Sequence, residues 1–297
     1  MTRETFLNRS DNDSTIANYH KSFKKLDEFL IEQNITEYNF IQSLINLPLH
    51  EKYQHLQKLV DSIKPKVSPG TTKQYFDILF IYFLLEGAPL DYTQKKIRLS
   101  FPRKETKQFD GLTEDNITNL LSHGSPNFQT FCSALVGAGM RETECLLLEP
   151  QMILFDEYPV RIKIEPRIAK FHIGRETFLP PKNAKRLQDL IAIKQVTPGN
   201  TIFTEHYSKH TLKEFEDQFA SIRTKCNLDT PNRKKHQQND FTLHSFRSYF
   251  ITTVTDALNE ATAHALAGHS RYMKTYYRKA LSKRQSQFAP IMQELEF

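Results

Sequence analysis

Residues 259–280 read NEATAHALAGHSRYMKTYYRKA, and the reading of the whole chain turns on them. Asn259 belongs to the residue types that cap helices through a side-chain oxygen, and the alanine-rich run behind it favours helix. Gly268 is placed to close that short helix in the left-handed conformation, which leaves His269 held just past the C-terminus. There the helix dipole favours the protonated imidazole. Tyr277 follows eight residues later, beside Tyr276 and Arg278. A tyrosine among basic residues is most often a packing or base-stacking group, so Tyr277 taken alone specifies little.

Two stretches upstream carry groups that suit an anion. In TLHSFRSYF, residues 242–250, Thr242 can cap a helix that places His244 and Arg247 one turn apart on one face. In GAGMRETECLLLE, residues 137–149, Arg141 follows a glycine-punctuated helix end and Glu144 stands three residues on, within reach of the guanidinium. Each pair by itself also describes an ordinary solvent-facing pair.

The ordered set is more specific than its parts. Arginine with glutamate three residues later, a small sheet, HxxR, AGHS and then a tyrosine near the C-terminal end together resemble the tyrosine recombinase (phage integrase) family. The resemblance covers Leu112 to the end and, more loosely, the N-terminal helices. It implies that Arg141 and Arg247 hold a scissile DNA phosphate, that Glu144 supports Arg141, and that His244 and His269 are the two histidines of the site. It implies Tyr277 as nucleophile, with one residue fewer after His269 than the family commonly has and with Tyr276 as the alternative. The family also uses a lysine from its β-hairpin; in KIEPRIAKFHIGRETFLPP, residues 163–181, Lys170 is the choice and Lys163 the alternative.

The fold class expected is mainly α with a small antiparallel β-sheet in the catalytic domain, arranged as a two-domain DNA clamp. Residues 1–98 read as a helical module resembling the family's core-binding domain. Ser14 or Thr15 caps one helix there, residues 49–63 form another, and a third starts after SPG at 68–70. Residues 99–111, polar and basic without periodicity, read as a linker, and 112–297 as the catalytic domain. Within it Thr113 and Ser125-Pro126 signal helix starts. Val160, Ile162 and Ile164 alternate with charged residues as in a strand, with a second strand at RETFLPP. Phe288, Ile291, Met292 and Leu295 recur at helical spacing and dock either on a neighbouring protomer or on their own domain.

The 297 residues carry 40 Lys plus Arg against 34 Asp plus Glu, a net +6 that leans toward a polyanionic partner. Cys132, Cys145 and Cys226 have no CxxC spacing, so neither a disulfide framework nor a zinc site is expected. The sequence has no signal peptide and no run near the roughly 18 apolar residues of a membrane span, so a cytoplasmic, DNA-associated protein is expected. No phosphate-binding GxxxxGK[ST] loop or carboxylate cluster occurs, and no cofactor or metal is expected. His206 and His210 have helical-turn spacing but no matching third ligand, and a solvated pair is the simpler reading. The RKKH run at 233–236 suits the DNA backbone or solvent equally.

These expectations add up to a site-specific recombinase that cuts and rejoins double-stranded DNA at an attachment or recombination site, as a homotetramer on paired sites, to integrate or excise a mobile element. A type IB topoisomerase-like relaxing enzyme and a DNA-binding protein without activity are the alternatives.

Overall fold

Ser68 shows how the chain starts its helices: its hydroxyl accepts the backbone N–H of Thr71, and Pro69, which has no N–H to satisfy, occupies the first turn. The computed structural model describes residues 2–103, 110–230, 239–269, 271–273 and 279–297, which divide into two units at the segment between 103 and 110.

The first unit is helical: α1 (Arg3–Leu7), α2 (Asp13–Glu32), α3 (Glu37–Asn46), α4 (Leu49–Ile63), α5 (Pro69–Leu85) and α6 (Tyr92–Arg98). The cap of α2 is Asn12, whose side chain accepts from the Thr15 amide, and not Ser14 or Thr15. Asparagine there satisfies an amide that either of the later residues would leave open. The apolar faces meet in a core with Leu26, Leu44, Leu56, Phe76 and Phe83 fully buried, each of the larger side chains contributing about 1.5–3 kcal/mol by leaving water. Leu99 joins that core and the Phe101 ring packs 5.3 Å from Phe76, so residues expected in a linker pack with this unit.

In the second unit, α7 (Glu114–Ser122) and α8 (Pro126–Ala138) begin at the expected caps, Thr113 and Ser125. α9 (Glu142–Leu146) leads into a sheet of β1 (Ile153–Leu154), β2 (Val160–Ile164) and β3 (Arg175–Leu179), antiparallel in that order. Ile164 pairs with Arg175 and Lys163 with Glu176, so alternation places Ile164 and Arg175 on the buried face and Lys163 on the other. α10 (Pro181–Lys194), α11 (Lys209–Lys225), α12 (His244–Ala257) and α13 (Glu260–Leu266) follow. The small antiparallel sheet within helices is the class that the alternation at 160–164 predicts.

Three local expectations change. Thr242 does not cap α12 through its side chain; the cap position is Leu243 and the Thr242 amide donates to the Ser245 hydroxyl. Ser208 caps α11, so His206 lies before that helix and does not share a helical turn with His210. The C-terminal residues pack on their own unit: Phe288, Ile291, Met292 and Leu295 are buried with Phe178, Phe250 and Val254. Asn183 secures them by donating to the Leu295 carbonyl at 3.0 Å. The RKKH run lies outside the described residues.

Candidate active site

α8 ends at Gly139 in the left-handed conformation, φ 60°, and the turn delivers Arg141 to the start of α9. Glu144, one turn later, accepts the Arg141 amide at 2.8 Å and its Nη1 at 2.8 Å. Because Glu144 has no solvent exposure, the acceptor capacity that Arg141 leaves on its two oxygens needs partners inside the protein. Arg175 on β3 supplies the rest, donating Nη1 to Oε1 at 2.8 Å and Nη2 to Oε2 at 2.6 Å. Burial alone would raise the Glu144 pKa, but the Arg175 hydrogen bonds and the two cations hold it at about 2.

The end of α13 is the seat on which these groups converge. Three successive carbonyls each accept from a different guanidinium: Leu266 from Arg175 Nε at 3.1 Å, Ala267 from Arg247 Nη2, and Gly268 from Arg141 Nη2 at 3.1 Å. Carbonyls at a helix C-terminus have no partner inside the helix and carry its partial negative charge, which suits cations. Gly268 has φ 83°, and a Cβ there would lie 2.7 Å from Arg175 Cζ, so glycine serves both the turn and the close passage of the guanidinium.

Arg247 projects from α12 into the same place and is 1% exposed. Its Nη1 donates to the Gly139 carbonyl and its Nη2 also reaches His269 Nε2 at 3.3 Å. Among the described residues its buried Nε has no hydrogen-bond partner and the guanidinium forms no ion pair with a carboxylate. Burial, and then Arg141 and Arg175, lower its pKa to about 9, so it stays charged at neutral pH. Arg141, 17% exposed, commits two of its five N–H groups to these anchors among the described residues. The arrangement is a pair of fixed guanidiniums with donors to spare, which suits an anion with several oxygens.

His269 sits just past α13, as expected, but not in the charge state expected. Burial and the cations Arg247, Arg141 and Arg175 bring its pKa to about 4, outweighing the helix dipole, so it is neutral at pH 7. His244 is exposed at the start of α12 and its Nδ1 lies 3.0 Å from Glu142 Oε1. Burial would raise the Glu142 pKa, but that hydrogen bond and the nearby cations keep it below its ordinary value. Lys170 lies in a short 3-10 turn, Lys170–His172, within the β2–β3 connection that leads into Arg175. Lys163, outward on β2, is on the opposite sheet face from Arg175. Tyr276 and Tyr277 lie outside the described residues. Among the described residues no group of three or more His, Cys, Asp or Glu could hold a metal ion, and no helix is long and apolar enough to cross a membrane.

Arg141, Arg247 and His269 are thus brought together with Glu144. Sequence reasoning missed Arg175, Glu142 and His264. Strand parity with Thr177 and Leu179 was the available signal for Arg175, a charged residue in phase with buried ones.

With this geometry in view, comparison with solved structures decides the fold. A lambda integrase tetramer bound to a Holliday junction matches with TM-score 0.62 and 15% identity, over 90% of this chain and 75% of that one. The XerH site-specific recombinase bound to difH substrate matches with TM-score 0.58 and 17% identity, over 92% and 79%. The Tn1549 transposon integrase in complex with a circular intermediate DNA gives 0.63 and 15%, over 94% and 95%. The chain has the tyrosine recombinase fold. No protein-family model and no curated protein sequence matches it. The tyrosine recombinase likeness therefore rests on architecture, and it extends over both units of the chain.

Proposed function

We propose that this protein is a site-specific DNA strand transferase that cuts and rejoins duplex DNA through a tyrosine. The observation that carries the reading is Arg247: a buried guanidinium beside Arg141, charged, with its Nε unsatisfied and no carboxylate partner among the described residues. A phosphodiester supplies what that site lacks. Its two non-bridging oxygens take bidentate hydrogen bonds from Arg141 and Arg247, and these strengthen as charge builds in the pentavalent transition state.

In this mechanism the Tyr277 hydroxyl attacks phosphorus, its proton passing to a base for which His244, braced by Glu142, is the candidate. The bond from phosphorus to the 5′ oxygen breaks, and Lys170, from the β2–β3 connection, protonates that oxygen. Placement of Lys163 on the far sheet face favours Lys170 in the role. The 3′-phosphotyrosyl link conserves the energy of the broken diester, so a 5′-hydroxyl can reverse the attack without a nucleotide cofactor. The helical first unit would add DNA contacts of its own, and pairing of sites would call for a tetramer, the state named for the lambda integrase complex. Integration or excision of a mobile element fits the neighbouring integrases, one of them from a transposon.

The test is incubation with nicked duplexes spanning candidate attachment sites, then denaturing electrophoresis for a covalent protein–DNA adduct. The wild type should form one, Tyr276→Phe should retain it and Tyr277→Phe should lose it. An adduct surviving in Tyr277→Phe removes that residue as nucleophile. Supercoil relaxation without defined recombinants would instead indicate a topoisomerase.

A further inference from the structure

His269 does not stand alone beside the guanidiniums. Its Nδ1 lies 2.5 Å from Nδ1 of His264 on α13, with the two rings stacked, centroids 4.6 Å apart. Arg247 can only donate, so His269 Nε2 accepts from it, and the single proton of the neutral ring sits on Nδ1, donated to His264. His264 therefore accepts on Nδ1 and carries its own proton on Nε2, the side facing Glu260 Oε1 at 3.7 Å. Tyr272 stacks on His264 at 5.1 Å and donates its hydroxyl to the same Glu260 at 2.9 Å, so the His264 ring is fixed from two sides.

This places on the ring nitrogen that faces Arg247 a lone pair already accepting the Arg247 N–H, and no N–H of its own. A phosphodiester oxygen seated by Arg247 would be repelled by that lone pair unless Nε2 acquires a proton. The neutral ring cannot simply move its Nδ1 proton across, because His264 holds it there. We infer that the His264–His269 pair is a proton-uptake device: seating of a phosphodiester is coupled to protonation of His269 at Nε2, and His264 is the positioning residue that enforces the coupling. The inference rests on the proposed phosphodiester site.

The charged groups around His269 explain why uptake is tied to binding. Arg247 from α12, Arg141 from the start of α9 and Arg175 from β3 oppose a further positive charge; Glu144 is spent on Arg141 and Arg175, and Glu260 stands behind His264. An incoming phosphodiester anion offsets those cations, and the imidazolium then donates to it from Nε2 while still donating from Nδ1 to His264.

The experiment is ¹⁵N NMR of the full-length protein with labelled histidine, free and with a nicked duplex, combined with duplex affinity from pH 6 to 8. Free His269 should read as the neutral Nδ1–H form and the bound one as doubly protonated. Once pH exceeds the pKa of the bound ring, wild-type affinity should fall by up to about tenfold per pH unit. His264→Phe, which keeps a stacking ring but no acceptor, frees the Nε2–H tautomer and should flatten that fall. His264→Asn, whose Oδ1 can accept in place of Nδ1, should restore it. A free His269 already protonated on Nε2, or equal pH slopes in wild type and folded His264→Phe, overturns the inference. If the covalent adduct forms while bound His269 stays neutral, the proton coupling is wrong and the proposed function stands. If there is neither adduct nor any change at His269, the proposed function fails and the inference falls with it.

Discussion

Arg175 holds both carboxylate oxygens of Glu144, and neither side chain has more than 1% of its surface exposed. Removing Arg175 leaves the buried Glu144 charge stranded with Arg141 alone to offset it, so Arg175→Met should cost about 3 kcal/mol in urea unfolding. Adding Glu144→Gln removes the stranded charge, and the double variant should lose clearly less than the sum of the two single losses. A simple sum would show that the two residues do not act as a unit.

His269 and Glu144 act with the same sign on the acid side of the stability profile. His269 has its folded pKa lowered from 6.5 to about 4, so the unfolded chain binds a proton first and stability declines as pH falls through that window. Glu144, lowered from 4.5 to about 2, contributes stability that is full above 4.5 and lost as pH falls toward 2. Thermal midpoints measured from pH 7 to 4 should slope less in His269→Gln than in wild type. Parallel curves would mean that His269 does not titrate in this window.

An anion that fits between Arg141 and Arg247 should stabilise the free protein. Inorganic phosphate at about a hundred times its Kd would add about 2.7 kcal/mol, seen as a rise in melting temperature. Arg247→Met should abolish most of the rise. An equal rise in the variant would place the anion elsewhere.

Gly268→Ala combines a left-handed backbone with a Cβ driven into Arg175, which is pinned by Glu144 and the Leu266 carbonyl. Gly199 has a similar left-handed φ, 87° against 83°, but open space around a Cβ, so Gly199→Ala isolates the backbone cost. Both should destabilise, Gly199→Ala by about 1 kcal/mol and Gly268→Ala by clearly more. Equal losses by chemical denaturation would show that Arg175 yields easily.

What could be read from the sequence was what is encoded locally. Ser68, Thr113, Ser125 and Asn259 each cap a helix by accepting the amide three residues on, and such signals lie within a short span of chain. Arg141 and Glu144 are likewise one turn apart. Strand parity marks Arg175 as inward-facing, but its pairing was out of reach because its partner, Glu144, lies 31 residues earlier on a different element. The charge state of His269 was misjudged for the same reason: the local dipole argument was sound, but burial, and then three guanidiniums arriving from α12, α9 and β3, outweigh it. The His264 pairing depends on the chain reversing at Gly268 so that the two rings face each other, which composition does not announce.

The seat at the end of α13 has one more property. All three arginines rest there on main-chain oxygens, of Leu266, Ala267 and Gly268. A peptide carbonyl is supplied by every residue type, so no side-chain replacement at positions 266 or 267 deletes an anchor, provided the helix still forms. At Leu266 and Ala267 the constraint on the side chain therefore comes from burial, both having no exposure, and not from the anchors. A site seated in this way can outlast the erosion of sequence similarity, because half of each contact is written in the backbone and is not subject to substitution at all.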